Sequence, residues 1–544
     1  MEWKNKAISS ALVVTMLVGS FSGCATKTES ESKVDDFAGK TITWHLVSEF
    51  STLDPQLNSS FETCKILGHL FEGLYRIKDI KPERALAESE EVSKDGLTYT
   101  FKLRDAKWSD DQPIKAQDFE FAWKRAVSPE IENQGVTIFD VIENANDILN
   151  KKKKPEALGV KALDDKTLQV NLAKPCQDFI GRLATSSFGP LRENVVDSEG
   201  KWANDVKTIV SNGPFMLKRC AFNEEVVLEK SPNYYDKDKI KIDRLVFKVM
   251  KNLDSAYTAY KQGKIDAISD VTESIAKDTI TTGEYHTEPS LDTYMLMFNF
   301  SNPLLKDKRI RRALSLAVNR EKLVKDVLGN TGERATATYI PFGFLNSKGE
   351  EIRDVIGEYG RSTSDGDFAE ARALLAEAGY PEGKNMPKIE LLCNDGGANR
   401  KIMSYLQEEW KKNLGIEVDI SMQEWNTYQV LLNEKSFPSM CRARFGADCP
   451  DVIDPIKIFK NDPKCKNPKA QYNNKEYDAL TETIQSTVGT ERDEAIYKAE
   501  KMLEDDTACI PLFFGTNSLL IKSNITDWHL NCLGLVYFGD ADIK

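Results

Sequence analysis

Residues 401–422, KIMSYLQEEWKKNLGIEVDISM, decide the fold class. Ile402, Leu406, Trp410 and Leu414 recur at i, i+4 spacing and so share one face of a helix over 401–414. Gly415 supplies the stop, since glycine closes a helix in the left-handed conformation at little cost. Directly afterwards Ile416, Val418, Ile420 and Met422 alternate with polar residues, as a half-buried strand does. A helix that feeds a strand through one glycine is a building block of mixed α/β folds.

The same alternation of element types runs outward in both directions. Leu97, Tyr99, Phe101 and Leu103 predict a strand, as do Leu168, Val170 and Leu172, and Leu245, Phe247 and Val249. Ile310, Ala313, Leu314, Ala317, Leu323, Val324 and Val327 predict one amphipathic helix across 307–328. A shorter helix opens on Asp367 and stops at Gly379. No internal repeat and no low-complexity linker separates the halves, which suggests lobes joined by chain crossings.

At 544 residues the chain exceeds one compact domain, and 41% apolar with 29% charged residues is an ordinary globular balance. A net charge of −12 argues against nucleic acid as a partner. The basic run Lys151 to Lys154 reads as a solvated turn.

The N-terminus reads as an address. Lys4 and Lys6 precede an apolar run from Ala7 to Val18, then small residues and Cys24. That is the pattern of a secretory signal segment over 1–23, too short for a membrane-spanning helix. A cysteine after Ser-Gly resembles a bacterial lipobox, in which the sulfur is acylated; Phe21 departs from the usual leucine. Cys24 is therefore the expected lipid attachment point, with 24–36 as a flexible tether, and the alternative is ordinary cleavage. Ten cysteines less Cys24 leave nine, an odd number that cannot all pair. Two readings stay open for them: buried small side chains, or disulfides with Cys449–Cys465 as the candidate pair.

Catalytic signatures are missing. Four scattered histidines show no metal-ligand spacing, and no nucleophile elbow, P-loop or dinucleotide fingerprint occurs. No cofactor, no metal site and no catalytic residue is expected. An exported hydrolase with dispersed catalytic groups is the enzyme alternative.

Ordered blocks carry more information. Leu53-Asp54-Pro55, Leu70 to Tyr75, Lys107-Trp108-Ser109-Asp110-Asp111, Ala122-Trp123-Lys124-Arg125, Ser211 to Phe215, Lys230 to Tyr235, Asp307 to Ser315 and Ala376 to Tyr380 follow one another along the chain. Together they resemble family 5 of the extracellular solute-binding proteins, the peptide-binding components of ABC importers, over about residues 40 to 544. The similarity is greatest to members that bind oligopeptides. The resemblance implies a two-lobed, hinge-closing α/β fold of the periplasmic-binding-protein type with an extra domain. Lobe I would be 37–71, 197–291 and 515–544, the inserted domain 72–196 and lobe II 292–514. It implies a monomer tethered by lipid outside a bacterial cytoplasmic membrane, capturing short peptides for a permease with ATPase subunits. The same fold could instead hold a nickel chelate, haem or an oligosaccharide, or serve peptide sensing.

The site residues follow from the resemblance. Asp448 matches the aspartate that pairs the peptide's ammonium group, against the plain reading of a turn residue. Arg444, Phe445 and Gly446 match the strand segment that pairs with the peptide backbone, and Ser60 with Phe61 the segment facing it. Arg442 matches an arginine for the C-terminal carboxylate, its alternative being a surface salt bridge. Trp425 matches a side-chain pocket wall, or else is a core tryptophan, and Asn394 falls in the same cleft. Departures are Asp292 and Gly446, where some members join two cysteines across the cleft, Leu432 or Asn433 for a second arginine, Asn399 for a histidine and Gly515 for a tyrosine. The ammonium end looks retained and the carboxylate end rebuilt.

Overall fold

The computed structural model describes residues 37–544 except 59, 132, 134–135, 198–199, 223, 270, 359–362, 364–366, 435, 448 and 462–471. One mixed sheet of eleven strands runs through it. Its first half is built around β1 (Thr41–Leu46), parallel to Arg244–Val249 on one side and to Ala267–Ser269 on the other. The long strand β2 (Tyr285–Phe298) leads into the second half, which holds β3 (Ile389–Asn394), β4 (Val418–Gln423) and β5 (Met440–Gly446). Strand β6 (Cys509–Ile521) returns antiparallel beside β2. From one edge the order is β4, β3, β5, β2, β6, Ala267–Ser269, β1, Arg244–Val249, Glu225–Lys230 and Phe215–Ala221, and the eleventh strand, Arg334–Ala335, pairs with β6 off this path.

The β2–β6 ladder is continuous in chain but not in register. Pairing runs from Tyr285↔Leu520 to Pro289↔Thr516, shifts, and resumes at Thr293↔Phe514. Pro289 has no N–H to donate, so a ladder irregularity there costs little. On one side of the shift Leu519 and Ile521 join the core that holds Ile42, Trp44, Leu245 and Phe247. On the other, Leu291, Met295 and Met297 join one second-half core and Tyr294, Leu296 and Phe298 another. Two lobes thus share one sheet, and the two strands that cross between them lose register at 289–293. A separate four-stranded antiparallel sheet, Ala87–Val92, Thr98–Leu103, Thr167–Asn171 and Val160–Asp164 in spatial order, shares the first lobe's core through Phe101, Leu168 and Val170.

Helix α1 (Phe61–Leu70) follows β1, and α2 (Asn399–Leu414) connects the parallel pair β3 and β4. Gly415 caps α2 at φ +70°, and Ile402, Leu406, Trp410 and Leu414 are all buried. Three strands, Thr98–Leu103, Thr167–Asn171 and Arg244–Val249, lie where alternation predicts them. The helix at 367–379 also stands, with the Asp367 side chain accepting from Glu370 N–H at 3.0 Å. The single helix expected over 307–328 is corrected. It is Lys308–Leu316, then a new start at Arg320 capped by Asn319, whose side chain accepts from Lys322 N–H at 2.7 Å. The apolar face survives the break, for Ile310, Ala313, Leu314, Ala317, Leu323 and Val324 remain buried. No two cysteines among the described residues are joined by a disulfide, and five of them are buried; Cys24 and Cys465 lie outside those residues, so the Cys449–Cys465 pairing does too.

Candidate functional site

Strand β5 is paired along its whole length with β2, but with β3 only at Met440 and Cys441. Ala447 N–H donates to Leu291 O at 3.1 Å, which sets the phase of the ladder: Phe445 and Ala443 exchange hydrogen bonds with β2. Arg442, Arg444 and Gly446 therefore direct their N–H and C=O groups to the opposite edge. At Arg442 that carbonyl is taken by the Tyr428 hydroxyl, from α3 (Trp425–Asn433). Beyond it, no strand among the described residues covers the edge, and Arg444 and Gly446 are exposed.

Side chains at i and i+2 share a face, so Arg442 and Arg444 project together. Their charges are treated differently. Arg444 Nε and Nη2 donate to Asp292 Oδ1 and Oδ2 at 2.7 and 3.0 Å. Arg442 has no carboxylate partner among the described residues. Its Nη1 donates to Asn394 Oδ1 at 3.4 Å, its guanidinium stands 4.9 Å from the Tyr294 ring centre, and its Nε is buried without a hydrogen-bond partner among the described residues. Asn399 closes the group: its amide donates to Asn394 O at 3.1 Å and its Oδ1 accepts from the Tyr294 hydroxyl at 2.8 Å. Burial pushes the Tyr294 hydroxyl above its ordinary range, so it stays a neutral donor. A half-buried cation beside an amide and an aromatic face can receive an anionic oxygen.

The other face of β5 walls a hollow of about 160 Å³ with Met297, Cys441, Ala443, Phe445, Tyr428 and Trp425. Trp425 is 49% exposed and lines that hollow. Ser60 stands at the N-cap position of α1 and Phe61 begins the helix, 47% exposed, with Lys65 Nζ 5.4 Å from its ring centre. A Cβ on Gly534 would stand 3.3 Å from Phe61 Cζ and 2.7 Å from Asn517 Oδ1, so Phe61 lies beside β6 just past the register shift. The predicted residues Arg442, Arg444, Phe445, Gly446, Trp425 and Asn394 are thus gathered on the second lobe, and Ser60 and Phe61 on the first. Asp448 and Cys24 lie outside the described residues.

Two placements correct the sequence reading. Asp292 and Gly446 are direct neighbours on β2 and β5, not positions across a cleft. Gly515 is more than a missing tyrosine: a Cβ there would lie 2.2 Å from Asp292 Oδ1 and 2.6 Å from Ser290 Oγ. Tyr294, Tyr428 and Met297 were not singled out by sequence. Their signal, an apolar run at 294–298 and a helix face at 425–433, looks like ordinary core.

The model "Bacterial extracellular solute-binding proteins, family 5 Middle" matches residues 81–464. The chain belongs to this family. The oligopeptide-binding protein OppA of Bacillus subtilis is 30% identical over 98% of both chains. Among solved structures, an unliganded open form of the periplasmic murein tripeptide-binding protein MppA superposes with a TM-score of 0.79 at 28% identity, covering 93% of this chain and 98% of that one. A periplasmic oligopeptide-binding protein from Borrelia burgdorferi gives 0.75 at 29%, covering 93% and 100%. These relatives are solute-binding proteins, and the two-lobed fold with its mixed sheet is theirs as well.

Proposed function

We propose that this protein captures short peptides between its two lobes and passes them to an ABC importer. The observation that carries the reading is the edge of β5 at Arg444 to Gly446, which offers backbone groups to an added strand. Main-chain pairing gives affinity with little regard for sequence, as a binder of many peptides requires. Arg442, with Asn394, Asn399 and Tyr294 behind it, receives the C-terminal carboxylate. Asp448, two residues past β5, pairs the ammonium group. Phe61 and Ser60 close from the first lobe, and the Trp425 hollow takes one ligand side chain. A nickel chelate, haem or sugar, being anionic or neutral, would leave the Asp448 carboxylate without a cationic partner.

The same reading assigns lobe I to 37–71, 197–291 and 515–544, the inserted domain to 72–196 and lobe II to 292–514. It makes the protein a monomer, exported by residues 1–23 and held at the membrane by lipid on Cys24. No catalytic step is assigned. Native mass spectrometry of the purified protein, followed by denaturing release, tests the substrate class. A mixed set of peptide masses supports it, and one defined non-peptide mass overturns it.

A further inference from the structure

A buried ionic cluster joins the inserted domain to the second lobe, away from the residues assigned to ligand. Arg182 ends the short helix Phe179–Arg182 and sends Nη2 and Nε to Asp451 Oδ2 at 2.7 and 3.3 Å. Its Nη1 donates to Asp140 at 2.9 Å. Arg492 donates to Asp451 Oδ1 at 3.0 Å and to Asp178 from the same nitrogen. Beside them Gly489 N–H donates to Gln177 Oε1 at 2.7 Å, and a Cβ on Gly181 would stand 3.1 Å from Pro450. Arg182, Asp451 and Arg492 are each more than nine-tenths buried.

The two sides of this contact belong to different cores. Phe179 and Leu183 belong to the core that also holds Trp44 and Leu67 of the first lobe, whereas Val452, Ile453, Ala495 and Ile496 belong to a core of the second. Among the described residues of 72–196, Ile77, Ile80 and Ala184 alone pack with that second-lobe core. The contact therefore joins the two cores. Asp451 follows Gly446, the last residue of β5, by five positions, so the contact lies at the ligand end of that strand.

We propose that Arg182, Asp451, Arg492 and Asp178 form a clasp that holds the inserted domain on the second lobe when the lobes are together and parts when they open. Ions suit a contact that must be remade in every cycle. Their attraction is largely offset by the hydration they regain on separation, so neither state is strongly trapped. The cluster is also incompletely satisfied: Arg492 Nη1 is buried without a hydrogen-bond partner among the described residues, and a hollow of about 20 Å³ adjoins Arg182, Asp451 and Arg492. Arg182 is then a positioning residue for capture, acting on the balance of lobe arrangements and not on the ligand.

The functional consequence rests on the peptide-capture reading, but the clasp is tested without ligand. Arg182→Met leaves Asp451 paired with Arg492, so the buried carboxylate keeps a partner. Small-angle X-ray scattering of the ligand-free protein is expected to give a larger radius of gyration for Arg182→Met than for wild type, with Arg182→Lys between them. If Arg182→Met does not fold, Asp451→Asn takes its place with the same expectation. Scattering curves that superpose on wild type overturn the clasp. With trialanine as probe, dissociation from Arg182→Met should be about tenfold faster while association is unchanged; equal dissociation rates overturn it likewise. Failure of trialanine and of longer peptides to bind wild type instead refutes peptide capture and leaves the scattering result standing.

Discussion

Arg444 holds Asp292 with two parallel hydrogen bonds, Nε to Oδ1 at 2.7 Å and Nη2 to Oδ2 at 3.0 Å, and so fastens β5 to β2 at the point where β2 loses register with β6. The Ser290 hydroxyl donates to the same carboxylate, and Gly515 leaves the space in which it sits. The open edge of β5 and the β2–β6 register shift therefore share one carboxylate.

That sharing predicts coupled mutations. Gly515→Ala places a methyl group against Asp292 and should cost about 1–3 kcal/mol of stability. Asp292→Ala should cost about 1–2 kcal/mol through the lost ion pair, Arg444 being partly in solvent. The double variant should lose clearly less than the sum, because the methyl group then meets no carboxylate. Urea unfolding of the three variants measures this, and strict additivity would mean that the two positions do not interact.

Arg442 should show opposite effects on stability and on binding. Its half-buried guanidinium has no anionic partner among the described residues, so Arg442→Met should leave folding stability unchanged or raise it by about 1 kcal/mol. The same change should weaken binding of a free-carboxylate tripeptide by about tenfold or more and leave its C-terminal amide little affected. Calorimetry with both ligands checks it; equal losses for acid and amide would detach Arg442 from the carboxylate.

Asp448→Asn should cut peptide affinity by about 2–5 kcal/mol, the range for removing one partner of a desolvated charge pair. N-acetylation of the ligand should hurt more than C-amidation. Affinity of the variant within tenfold of wild type would exclude the role proposed for Asp448.

His69 supplies a pH dependence. Its Nδ1–H donates to Lys65 O at 2.8 Å and its Nε2 accepts from Phe538 N–H at 3.0 Å, so the neutral ring satisfies both neighbours. Burial lowers its pKa from 6.5 to about 4, with the Lys65 carbonyl acting weakly the other way. Between those values the unfolded chain binds a proton that the folded chain does not. The stability is fully present above the unfolded value and is lost as the pH falls, by about 2 kcal/mol between roughly pH 7.5 and 5. Urea unfolding of wild type and His69→Gln across that interval measures it: the gap between them should narrow on acidification. A constant gap would show that His69 titrates alike in both states.

Much of this was legible in sequence because local rules and tertiary structure agree. The helix at 401–414, its glycine stop and the strand after it follow from spacing alone. The break at Ala317–Asn319 was not read, although an asparagine followed by charged residues is a capping signal; a continuous apolar face masked it. Strands β2 and β6 were missed for a different reason. Tyr294 to Phe298 and Ile510 to Phe514 are buried on both faces, so no alternation marks them. The cleft residues on β5 came through family resemblance, while their physical support did not. Arg444 and Asp292 lie 152 positions apart, and no local pattern announces that pairing.

The most direct test of the account is amide hydrogen exchange at β5 with and without a bound tripeptide. Phe445 N–H, which faces β2, should be protected in both states, and Gly446 N–H should gain protection only when peptide is bound. Peptide binding that leaves Gly446 exchange unchanged would contradict capture by strand addition at this edge.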